Sequence, residues 1–189
     1  MTNGGGSIVI PTDVPGFDDN RLGLARYSMQ QLLLNHPEIL NVQFVKFDDG
    51  VSSTVWMTRA DALTYIGSGP GDGNFAGGGS TNYDIALLEA MNVYGASARP
   101  SGVADQTLVY FLSDGAPNTA NDPGGDAGIT GNGTGNDVSI AEWETFVTNP
   151  ANDITNVFAI GLGTANVDNL EPVSYPNTDN NPNDGQEDN

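Results

Sequence analysis

Two apolar runs, LVYFL (108–112) and NVFAIGL (156–162), constrain this chain more than any other feature in it. Neither shows the strict alternation of a strand with one wet face, so each reads as a strand buried on both sides. Such strands belong to parallel sheets covered by helices on both faces. The first run passes straight into Ser113-Asp114-Gly115, which brings a carboxylate to the strand's carboxyl end. In open α/β sheets ligands bind at that rim.

The segments between these runs fill in a βα alternation. Ser7–Asp13 (SIVIPTD) reads as a third buried strand. Asp18-Asp19-Asn20 offers capping side chains for a helix through Asn35, with Leu22, Ala25, Met29 and Leu32 at 3/4 spacing and Pro37 as its stop. Asn41–Phe47 and Ser52–Met57, joined by Asp48-Asp49-Gly50, predict an antiparallel hairpin. A short helix is expected over Arg59–Ile66, then a Gly-rich loop over 67–80. A helix over Thr81–Tyr94 follows, with Ile85, Leu88 and Met91 on one side. After a Gly/Asn/Asp loop (117–137), Ser139-Ile-Ala-Glu142 has the spacing of a capping box for a helix carrying Trp143, Phe146 and Val147. The order predicts an α/β fold: a doubly wound, Rossmann-like, mostly parallel sheet with one antiparallel edge strand and helices on both faces.

The 189 residues suit one domain with a real core. Asp and Glu number 24 against 5 Lys and Arg, a net charge of −19. That field repels nucleic acid and anionic membrane, and both are set aside as partners. It leaves two uses for the carboxylates: solvation for most, divalent cations for some. The absence of cysteine removes disulfides, thiol catalysis and cysteine-ligated metal centres. No run approaches a membrane span. The start, MTNGGGS, lacks the basic and apolar regions of a signal peptide, so residues 1–6 read as a lead-in to a domain cut from something longer. Residues 7–176 form the expected domain. Residues 177–189 read as an acidic polar tail, a loop or disordered.

Three oxygen-bearing side chains fall at carboxyl ends of strands or in the loops beside them: Asp13, Thr81 after three glycines, and Asp114. If the first and fourth strands are neighbours they converge on one rim. They then offer a hard cation such as Mg²⁺ or Ca²⁺ a partial oxygen shell with positions open to water. Each also has a plain reading, Asp114 as a turn residue and Thr81 as a helix cap. With one His and no Cys, neither a Ser-His-Asp triad nor a zinc-hydrolase set can be assembled. No glycine cluster gives a phosphate-loop pattern.

The stretches GGGSTNYDIAL, VYFLSDGAPN, RLGLARYSMQQLL and SIAEWETFV…ITNVFAIGLGTANVDNLEPV resemble a von Willebrand factor type A domain. They are most similar to the A domain near the C-terminus of giant repeat-containing (RTX-type) bacterial adhesins. The resemblance runs from Ser7 to about Tyr175. It implies a secreted or cell-surface adhesion module that is not an enzyme, with a metal-ion-dependent adhesion site holding Mg²⁺ or Ca²⁺. A protein or glycan surface ligand, and neighbouring domains of the same adhesin, would be its partners. Thr81 and Asp114 match the second and third parts of that site. The first part, Asp-x-Ser-x-Ser, is replaced by TDVPGF. Without a gap, Thr12 takes the Asp position and Val14 and Gly16 the serines. With one deletion Asp13 takes it, and Pro15 and Phe17 replace the serines. Either way two hydroxyl ligands are lost, which implies weaker binding or a structural spacer with a lapsed site. The family's final strand and helix also have no counterpart after NVDNLEPVSYPN.

Overall fold

Helix α1 (Arg21–Asn35) begins where Asn20, in extended conformation, accepts a hydrogen bond from the Gly23 N–H at 2.7 Å. It ends at His36, one residue before Pro37. In this computed structural model the described residues are 20–48, 50–67, 74–75, 80–96, 106–118, 138–163 and 165–176. Helix α2 (Arg59–Ile66) is capped by the Thr58 hydroxyl, which accepts from the Asp61 N–H. The two helices enclose Leu22, Leu33, Ala62, Ile66 and Phe75. Arg26 is buried among them, because its guanidinium donates to the Ile66 carbonyl at 3.1 and 2.9 Å. That bond satisfies an acceptor that the end of a helix leaves open.

Between these helices the chain makes an interrupted hairpin. Strand β2 (Val45–Phe47) pairs antiparallel with β3 (Val51–Ser53), and β1 (Asn41–Val42) with β4 (Met57–Thr58). The expected pair of continuous strands is therefore split in two. Thr54 explains the split: its hydroxyl accepts from the Phe44 N–H at 3.0 Å and its carbonyl accepts from Gln43 Nε2 at 2.9 Å. A Thr side chain that bonds the neighbouring backbone competes with the regular ladder. At the tip, Gly50 N–H donates to Asp48 Oδ1 at 2.7 Å and Asp48 N–H to Gly50 O at 2.9 Å, closing the turn.

The second half is built on a parallel pair, β5 (Thr107–Ser113) and β6 (Ile154–Gly161), in register from Leu108 with Asn156 to Ser113 with Gly161. Helix α3 (Tyr83–Ala96) packs on the hairpin strands, and α4 (Ile140–Thr148) on β6. Ser139 and Glu142 form both bonds of the capping box. Trp143, Val147, Tyr83, Leu87, Phe111, Val157 and Val173 make the main core. The inward stripe of α3 is Tyr83, Ala86 and Leu87, one position off the expected Ile85, Leu88 and Met91; Leu88 and Met91 flank it. A short helix, α5 (Val167–Leu170), and a 3-10 turn (Glu171–Val173) lead to Tyr175, which bridges β6 through two backbone bonds with Val157.

The architecture is mixed α/β, with small sheets that include a parallel pair. Ser7–Asp13, Gly77–Gly79, most of 117–137 and the tail 177–189 lie outside the described residues. Among the described residues no helix is long and apolar enough to cross a membrane.

Candidate functional site

The rim where β5 and β6 end gathers polar groups from three segments. Asp114 is the first residue past β5, and its side chain is fully buried. Thr81 is also buried and stands just before α3. The α3 cap is Asn82, whose Oδ1 accepts from the Ile85 N–H at 3.1 Å; the plain capping role considered for Thr81 is thus filled by its neighbour. A Cβ placed on Gly115 would sit 3.2 Å from Thr81 Oγ1, so the hydroxyl lies against the residue that follows Asp114. Any larger side chain there would crowd it.

Two reciprocal hydrogen bonds hold that approach in place. Asn118 Oδ1 accepts from Thr81 N–H, and Asn118 N–H donates to Thr81 O, both at 2.9 Å. The Gly115 carbonyl accepts from Tyr83 Oη at 3.0 Å and from Ser113 Oγ at 2.9 Å. Burial, foremost, holds the Tyr83 phenol above its ordinary value; the Asp114 charge adds to this, and a hydrogen bond with Ser113 opposes it.

Arg21, at the start of α1, completes the rim and was not among the residues singled out from sequence. Its Nη1 donates to the Asp114 carbonyl at 3.1 Å and lies 3.7 Å from Asp114 Oδ2. Its Nε is buried with no hydrogen-bond partner among the described residues. The guanidinium rests on Gly163, just beyond β6, where a Cβ would come within 2.8 Å of Nε. Gly163 has φ +73°, the left-handed region that favours glycine. The only sequence signal for Arg21 is scarcity, five cations in a chain of −19. The four in described positions each donate to a main-chain carbonyl: Arg21 to Asp114, Arg26 to Ile66, Lys46 to Asn74 and Arg59 to Leu33.

Of the three predicted cation ligands, the structure brings Thr81 and Asp114 to one rim, while Asp13 lies outside the described residues. The donor types, one hydroxyl and one carboxylate, fit a hard cation; the guanidinium beside the carboxylate competes with one. Among the described residues, no three His, Asp or Glu side chains cluster as a carboxylate-rich cation site would have them. His36 is exposed and paired with Glu38 at 2.7 Å, a surface role. Comparison of the chain with known protein families, curated proteins and solved structures gives no match.

Proposed function

We propose that the chain is a von Willebrand factor A-type binding module of a large secreted adhesin, taking Mg²⁺ or Ca²⁺ at the rim formed by Thr81 and Asp114, with Asp13 as the third ligand. The observation that carries the reading is the convergence of a buried hydroxyl and a buried carboxylate at the carboxyl end of a parallel strand pair. Two loops 33 positions apart in sequence meet there. Such rims are the ligand-binding edge of doubly wound sheets.

The full doubly wound sheet belongs to the same proposal. Among the described residues, a cleft of about 790 Å³ lies between Val45–Phe47 and Val109–Phe111, lined by Phe44, Phe47, Leu87, Tyr94 and Phe111. In this reading SIVIPTD, outside the described residues, is a central strand of that sheet with Asp13 as its last residue, as its apolar run predicts. In this reading an acidic group of a protein or glycan surface ligand completes the cation's coordination. On the same reading the module is a binder rather than an enzyme.

Calorimetric titration of the chain with Mg²⁺, Ca²⁺ and Mn²⁺ tests this. Binding in the millimolar range or tighter, abolished in Asp114→Ala, is the expected result. No heat from any of the three ions would sink the cation site and leave the structural-spacer reading.

A further inference from the structure

We propose that Arg21 is a tethered competitor for the cation: its guanidinium balances the charge of Asp114, and a divalent ion binds there as Arg21 is displaced. The inference rests on the cation reading above and adds a residue that sets the affinity of the same site.

A buried carboxylate needs a compensating charge, and Asp114 is fully buried. Arg21 provides it from α1, 93 positions away along the chain. A dication bound to the same carboxylate would stand beside that guanidinium, and like charges at close range in a dry site repel strongly. The two cations therefore exclude one another or weaken one another.

The Arg21 contact has the geometry of a releasable one. Its 3.7 Å approach to Oδ2 is long beside the 2.7–2.9 Å typical of a charge-assisted bond. The one bond of normal length goes to a carbonyl, and Nε is buried without an acceptor among the described residues. A buried donor left unpaired favours leaving for water. The guanidinium is held mainly by shape, seated on the bare Cα of Gly163. With Nε turned inward, Arg21 is ill placed to capture an anionic ligand directly, which favours the competitor role.

The experiment is calorimetry of Mg²⁺ and Mn²⁺ binding to the 189-residue chain, to Arg21→Gln and to Asp114→Asn, each first shown to be folded by its melting curve. Arg21→Gln is expected to bind Mg²⁺ at least about tenfold more tightly than wild type, a difference of ~1.4 kcal/mol. Asp114→Asn is expected to bind neither ion. Equal or weaker affinity in Arg21→Gln overturns the competitor role while the cation site stands. Absence of binding by both wild type and Arg21→Gln overturns the cation site and this inference with it. A second measurement needs no variant: the Arg21 Nε–H resonance of the wild-type chain should shift in step with Mg²⁺ saturation. A resonance unmoved at saturation overturns the proposal even where Arg21→Gln fails to fold.

Discussion

Where β5 begins, Tyr94 Oη bonds both Thr107 Oγ1 and the Asn152 carbonyl. Thr107 N–H donates to Asp153 O at 2.8 Å, and Thr155 Oγ1 to Thr107 O. Where β5 ends, a buried carboxylate faces a loosely held guanidinium, with glycines at 115 and 163 keeping the space open. One end is closed by neutral hydrogen bonds between complementary partners, which rigidify at little risk. The other holds charge, a donor with no partner among the described residues, and missing side chains, features that lower stability unless something else uses them. The contrast sets a base built for stability against the rim where we propose binding.

Three variants test the contrast, from largest effect to smallest. Gly163→Ala forces a Cβ into the left-handed region and against Arg21. It should lower stability by about 2 kcal/mol, several degrees in melting temperature, while divalent affinity rises. A rise without the stability loss would show that Gly163 does not seat the guanidinium. Thr81→Val keeps shape and removes the hydroxyl. Roughly tenfold weaker Mg²⁺ binding, about 1.4 kcal/mol, is expected with an unchanged melt. Tyr94→Phe should do the reverse, losing ~1 kcal/mol of stability with the affinity intact. If Tyr94→Phe altered binding, the division between the two ends would fail.

The smallest effect lies away from both ends. Backbone and then side-chain hydrogen bonds with Ser139 hold the Glu142 carboxyl below its ordinary value. A depressed folded-state value stabilises above the unfolded value of about 4.3, and that stability is lost as pH falls through the folded value. Acid unfolding curves of Glu142→Gln should therefore be shallower below about pH 4.3 than those of wild type, with cation binding at neutral pH untouched.

Local chemistry was legible in the sequence. The Ser139–Glu142 box, the bounds of Arg59–Ile66, the Asp48–Gly50 turn and strands in the runs LVYFL and NVFAIGL follow from short-range patterns. Burial on both sides of those strands does not hold, because Leu108, Phe158 and Ile160 are exposed. Features set by tertiary contact were not. Asn82 rather than Thr81 caps α3 because Thr81 is clamped by Asn118, 37 positions away. The α3 stripe shifted by one position because Tyr83 packs edge-on against Phe111 and Phe47. Arg21 was invisible as a site residue because nothing within α1 predicts its reach to Asp114. The carboxylate could be read from the strand that delivers it; its counter-charge could not.

The pairing of β5 with β6 also bears on how the chain folds. Thr155 reaches Thr107 across 48 positions, whereas Gln43 reaches Thr54 across 11. Closing the longer loop must precede any gain from the parallel ladder, so such pairings form slowly. The hairpin with its two flanking helices is expected to order first, and the strand pair to lock afterwards. Folding kinetics of Val157→Ala should then show an unchanged folding rate and faster unfolding, while Ala62→Gly slows folding itself. The rim that carries the proposed cation site would be among the last parts of the molecule to exist.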